Sequence, residues 1–99
     1  MRIYRGDRTI DGIKVTVDGA LLDPCCSIRT FSPNGFEWSY EGAEPAQLAF
    51  AMLADHWGDT ERALRHHDVF MRVVVANFDN EWEMTSADID AALANISSG

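Results

Sequence analysis

The chain is short of lysine: Lys14 stands alone beside seven arginines. It has few prolines, and only two cysteines, Cys25 and Cys26, which are adjacent. Neighbouring Cα atoms sit ~3.8 Å apart across a trans peptide, closer than disulfide geometry wants. No structural disulfide is therefore expected between them, and a reducing cytoplasm is the expected setting. A second cysteine pair at metal-ligand spacing is missing, so neither cysteine points to zinc. No apolar run approaches the ~18 residues of a membrane span, so no membrane partner is expected. The first twenty residues hold charges and no apolar block, so no secretory signal is expected. There is no G-x-S-x-G nucleophile setting and no phosphate-cradling glycine loop.

What is present is acid. The 99 residues carry 16 acids against 8 bases, a formal net charge of -8 with pI ≈ 4.6. Such a chain repels nucleic acid and anionic lipid, so no direct nucleic-acid partner is expected. The length, with 46% hydrophobic residues, suits a single domain over residues 1–99 with one core. The acid is unevenly spread. Residues 1–30 hold five bases and four acids, a balance of +1, and residues 31–99 hold three bases and twelve acids, a balance of -9.

The order of elements is strands first, helices after. Ile3-Tyr4-Arg5 reads as a short strand closed by Gly6. Residues 13–17 (IKVTV) alternate at period two, and Asp18-Gly19 then leads into Ala20-Leu21-Leu22, the pattern of a hairpin with a type I′ turn. A loop over residues 24–35 follows, with turn chemistry at Ser32-Pro33-Asn34-Gly35. Residues 36–40 (FEWSY) read as a strand with Phe36, Trp38 and Tyr40 on one face. Pro45 opens a helix over residues 46–57 that is apolar on most sides, the mark of a buried helix, and Gly58 is its C-cap.

Asp59 or Thr60 caps a second, amphipathic helix with an apolar stripe at Leu64, His67, Met71, Val74 and Phe78. Glu61–Arg65 and Asp68–Arg72 are i,i+4 pairs on it. Asp79-Asn80 breaks it. Trp82 falls in a short extended link. Thr85-Ser86-Ala87-Asp88 reads as a capping box, with Met84 and Ile89 at the spacing of a hydrophobic staple. Ile89, Leu93 and Ile96 turn inward on the last helix. The expected architecture is α+β: a small antiparallel sheet of three or four short strands packed against three helices.

The quoted segments G-F-E-W-S-Y (35–40), P-A-Q-L-A (45–49) and M-T-S-A-D-I (84–89) resemble a small bacterial, archaeal and phage domain family of unknown function. Its pattern runs G-F-E-W-x-Y, P-A-Q-L-A and L-T-x-A-D-I. Tyr4-Arg5-Gly6 and the Val-Asp-Gly hairpin fit as well, so the resemblance spans nearly the whole chain. It departs at Met84, where leucine is usual, and at His66-His67, where an aliphatic–aromatic pair is common. The resemblance implies no catalytic residue and no cofactor. Its occurrence in phages and mobile elements implies a host-directed or anti-defence role by association alone.

Other constellations are weaker. His66 and His67 are neighbours, point ~100° apart on a helix and do not share an ion comfortably. His56 sits at a helix C-terminus, where a cation faces the negative dipole end. Residues 79–83 (DNEWE) lack the glycine and twelfth-position acid of a calcium loop. Glu37 and Glu41 form one of many acid pairs, and no metal or catalytic residue is assigned. The leading expectation is a non-enzymatic binding protein whose acids engage a basic, nucleic-acid-binding surface of a partner protein as an inhibitor. Its site would be Glu37, Glu41, Glu44, Asp79, Glu81, Glu83, Asp88 and Asp90, with Trp82 as aromatic anchor if exposed, or as a core plug if buried. The alternative is a small-ligand, nucleotide-like binder using Arg2, Arg5 and Arg8 with Trp38 and Tyr40.

Overall fold

A computed structural model describes residues 2–10, 12–23, 30–31 and 35–98, with backbone only at 97 and 98. The expected pairing chemistry of Cys25 and Cys26, and the Ser32-Pro33-Asn34 turn, lie outside the described residues.

The α+β reading holds. Strand β1 (Ile3–Thr9) pairs antiparallel with β2 (Gly12–Val17), and β2 pairs with the two-residue β3 (Ala20–Leu21). Helices α1 (Ala43–Trp57) and α2 (Thr60–Val73) follow, then a 3-10 turn at Val75–Asn77. Strand β4 (Trp82–Thr85) returns to pair antiparallel with the far edge of β1, and α3 (Ser86–Ser98) ends the described chain. The sheet order is β3-β2-β1-β4.

The hairpin turn has positive φ at both centres, 52° at Asp18 and 86° at Gly19, as a type I′ turn demands. The Asp18 carboxylate also accepts from the Ile3 amide at 2.8 Å, tying the turn to the start of β1. Among the extended segments, three differ from the sequence reading. β1 does not close at Gly6 but runs on to Thr9, because Gly6 sits opposite both Val15 and Trp82. Its missing side chain makes room for the indole: a Cβ there would lie 2.1 Å from Trp82 Nε1. The Trp82 link is itself a strand, since β1 supplies its ladder. Residues 36–40 are extended but join no ladder, and Ser39 takes a positive φ of 75° that ends the alternation. Trp38 is therefore fully buried while Tyr40 is exposed.

The helices follow their local signals. α1 is buried from Pro45 through Ala54, as its nearly all-round apolar surface requires. It begins two residues before Pro45, which still lies among the first four positions, whose N–H groups have no helical partner. Gly58 is left-handed at φ 65° and its N–H closes on the Ala54 carbonyl. Asp59 caps α2 by accepting from the Arg62 amide at 3.1 Å. α2 stops at Val73, short of Asp79, where a run of β-branched valines weakens the helix. Of its two expected ion pairs Asp68–Arg72 forms, at 3.0 Å, while Glu61 and Arg65 do not pair. Thr85 and Asp88 exchange bonds of 2.9 and 3.1 Å, completing the capping box of α3.

One core joins the layers. Tyr4, Val15 and Trp82 from the sheet meet Leu48, Phe50, Met52 and Leu53 of α1, Phe70 of α2 and Ile89 of α3. Tyr4 O–H donates to Asp55 at 2.6 Å, and Arg2 grips the same carboxylate at 2.8 and 3.0 Å. Burial, and then the Asp55 carboxylate, push the Tyr4 phenol well above its ordinary value.

An acidic edge with an aromatic groove

Two acid-rich segments far apart in sequence, residues 37–44 and 79–83, lie side by side. Ser39 fastens them: its N–H donates to the Val75 carbonyl at 3.2 Å and its hydroxyl to the Phe78 carbonyl. Arg8, reaching across from β1, rivets them. Its guanidinium donates to Glu37 Oε1 at 2.5 and 3.1 Å, to Asn80 Oδ1 at 2.6 Å and to the Trp38 carbonyl at 2.9 Å. It also lies 4.7 Å from the Trp38 ring centroid. Behind it Trp38 meets Trp82 edge-on at 5.8 Å, and Trp82 stacks on Phe78 at 4.3 Å. Trp82 is thus the core plug of the two fates open to it, at 8% exposure, and presents no ring to a partner.

On one side of this joint, Gly12, Ile13, Gly35, Phe36, Glu37, Tyr40 and Glu44 line an open groove of about 640 Å³. Ile13, Phe36 and Tyr40 supply apolar and aromatic surface, and Glu37 and Glu44 supply charge. Tyr40 O–H donates to Glu44 at 2.9 Å. Partial desolvation, and then that carboxylate, raise the Tyr40 phenol above its ordinary value. On the other side Ser39, Phe78, Asp79, Asn80 and Glu81 line a second open depression of about 580 Å³. The sequence offered no sign that Ile13 and Phe36 share a groove, because their partners come from segments separated by a turn and a loop.

The expected site residues divide. Glu37 is held by Arg8, Glu83 by Arg5 at 2.6 Å, and Glu41 lies 3.8 Å from Arg72. Asp79 and Glu81 make no ion pair among the described residues, and both are exposed. Six carboxylates (Glu37, Glu41, Glu44, Asp79, Glu81, Glu83) thus stand against three guanidiniums (Arg5, Arg8, Arg72), an excess of at least three negative charges, since Arg72 also serves Asp68 at 3.0 Å. Asp88 is spent in the capping box, and Asp90 lies on α3 against His56, with Nε2 2.7 Å from Oδ1. Neither shares a partner with the other six among the described residues.

The residues of the small-ligand alternative do not form an open cationic patch. Arg2, Arg5 and Arg8 are each bound to a carboxylate, from Asp55, Glu83 and Glu37 respectively. Trp38 is 0% exposed and offers no face to a ligand. The histidines diverge: His66 packs edge-on against Trp57 at 5.5 Å, and His67 stacks on Phe31 at 4.3 Å with Nδ1 2.6 Å from the Leu64 carbonyl. No group of three His, Cys, Asp or Glu among the described residues is placed to hold a metal ion. Among the described residues no helix is long and apolar enough to cross a membrane.

Comparison with curated proteins finds no match, and comparison with solved structures finds none. A family model does match, over residues 4–95, covering β1 to the body of α3. The chain therefore belongs to that family, described as a family of unknown function (DUF6166).

Proposed function

We propose that this chain is a non-enzymatic binding protein that engages a basic surface of a partner protein through the edge built from residues 37–44 and 79–83. The observation that supports it is the joint itself. The fold brings two acid clusters together beside a groove with Ile13, Phe36 and Tyr40, leaving at least three charges unbalanced. A lysine or arginine side chain lays its methylene stem on such apolar surface while its head meets Glu44 or Glu37. The concrete form of the reading is a cytoplasmic inhibitor, of phage or mobile-element type, that occupies the nucleic-acid-binding face of a host protein.

The test is affinity capture from host lysate by the wild type and by a Glu44→Lys/Glu81→Lys variant, at about 50 mM and about 500 mM salt. Surface electrostatics fade as the Debye length shrinks, so a basic partner is captured at low salt and released at high salt. The variant captures nothing specific. Salt-insensitive capture, or capture unaffected by the double charge reversal, overturns the reading.

A further inference from the structure

A second cleft lies at the other end of the helical layer, away from the acidic edge and independent of the reading above. It is formed where α1 hands over to α2 through the left-handed Gly58 turn, with α3 alongside. Trp57, Arg62, His66, Asp90, Leu93 and Ala94 line a space of about 290 Å³. The spacing explains the convergence. Arg62 and His66 are i,i+4 neighbours on α2, and Asp90, Leu93 and Ala94 occupy positions i, i+3 and i+4 on α3.

The two charged groups of this cleft each have a contact of their own, and they do not pair with each other. The Arg62 guanidinium carbon sits 4.1 Å from the Trp57 ring centroid, and its guanidinium joins no ion pair among the described residues. Arg2, Arg5, Arg8 and Arg72 all hold carboxylates, whereas Arg65, outside the cleft, is like Arg62 in holding none among the described residues. Asp90 is held from behind, where its Oδ1 meets His56 Nε2 at 2.7 Å, and its Oδ2 has no partner among the described residues. His56 has a side chain only 9% exposed, so it is a firm anchor. His66 stands edge-on to the same indole at 5.5 Å, adding a second polar ring next to Arg62. Opposite charges lining one cleft gain by meeting. Here each is tethered on its own wall, the cation by an aromatic face and the anion by an imidazole. Such an arrangement is preorganised for a ligand that carries both charges.

We propose that this cleft binds a small zwitterion, an α-amino acid with an apolar side chain. Its carboxylate takes the fork of Arg62, its ammonium takes Asp90, and its side chain rests on Leu93 and Ala94 beside Trp57. The volume, about 290 Å³, lies at the small end of ligand pockets and suits one amino acid. A simple anion is disfavoured because Asp90 repels it, and a simple cation because Arg62 does.

The test is two-dimensional NMR of the intact chain, following the Trp57 indole N–H (assigned by Trp57→Phe) and the Ala94 amide. L-leucine is titrated at fixed ionic strength, with acetate and methylammonium as single-charge controls. L-leucine gives saturable shifts at both probes, and each control binds at least about tenfold more weakly. Arg62→Gln and Asp90→Asn each weaken leucine binding about tenfold or more, and Arg65→Gln, on the same helix outside the cleft, leaves it unchanged. Asn at position 90 still offers His56 an acceptor, and Arg62 is exposed, so amide spectra away from the cleft report that both variants are folded. The proposal is overturned by flat titrations up to about 20 mM leucine. It is also overturned by acetate matching leucine, which would make this an anion site, or by folded variants that bind as the wild type does.

Discussion

Gly6 is the position where one added carbon does most. Its Cβ would stand 2.1 Å from Trp82 Nε1, 2.4 Å from Cε2 and 2.8 Å from Cζ2. Ordinary contacts begin near 3.5 Å, so the indole has to retreat by more than 1 Å. It has nowhere to go. Phe78 stacks on it at 4.3 Å and Trp38 closes its edge at 5.8 Å. Overpacking of this kind costs about 1–3 kcal/mol, and disturbing the aromatic stack adds about 0.5–1.5 kcal/mol. Against this, alanine restricts the unfolded chain and returns about 0.4–1 kcal/mol. Gly6→Ala is therefore expected to lose about 2 kcal/mol, a fall in Tm of about 10 °C for a domain of this size. In a Trp82→Leu background the indole is gone and the sign reverses: Gly6→Ala becomes neutral or stabilising by up to about 1 kcal/mol. Urea unfolding followed by far-ultraviolet circular dichroism on the four proteins gives the coupling directly. An equal cost of Gly6→Ala in both backgrounds refutes the argument, since the glycine would then be serving the backbone and not the indole.

Tyr4→Phe removes a bond to a carboxylate and is expected to cost about 1.5–3 kcal/mol at neutral pH, measured by urea unfolding. The folded Tyr4 phenol is raised above its unfolded value of about 10, so its contribution is complete below that value. Above it only the unfolded chain gives up the proton, so stability falls, and the gap between wild type and Tyr4→Phe narrows from pH 9 towards pH 11. A gap constant over that window contradicts the assignment. Arg8→Met strips the donors from Glu37, Asn80 and the Trp38 carbonyl together and is expected to cost about 1–3 kcal/mol in urea unfolding. A loss below about 0.5 kcal/mol would mean that Arg8 is not the rivet of the edge. Thr85→Ala opens the capping box of α3 and is expected to lose about 1 kcal/mol, with hydrogen exchange rising first in the amides of the first turn.

Local chemistry made much of the fold legible. A type I′ hairpin, a glycine C-cap, an aspartate N-cap and a capping box are each written in two to four adjacent residues, and each is found where those residues stand. What was not legible required a partner from elsewhere. Trp82 looks like a link because four residues of mixed character have no strand signal of their own, and only β1, some eighty residues away, makes them a strand. The reverse holds for residues 36–40, whose clean alternation finds no ladder and is cut by the left-handed Ser39. The cleft at Trp57 was invisible for the same reason. Arg62 and Asp90 are ordinary surface charges on two helices until the Gly58 turn and the packing of α3 bring them to one cleft.

The charge asymmetry along the chain has the same origin and changes meaning once folded. A +1 segment followed by a -9 segment reads as a polar molecule with one anionic half. In the fold, β1 runs through the middle of the sheet, and its two arginines, Arg5 and Arg8, point to opposite faces as their odd spacing requires. Arg5 meets Glu83 on the outer face, Arg8 meets Glu37 on the inner one, and Arg2 just ahead of the strand takes Asp55. The N-terminal cations are thus counterions for acids of the later segment, one each from α1, the aromatic segment and β4. Their pairing is long-range, so it reports assembly of the sheet with the helices rather than any local preference. It also decides which acids are left to face outward. Asp79, Glu81 and Glu44 keep their charge for solvent or a partner because no arginine of β1 reaches them. Of the six acids of the edge, those three are the ones that no guanidinium among the described residues holds.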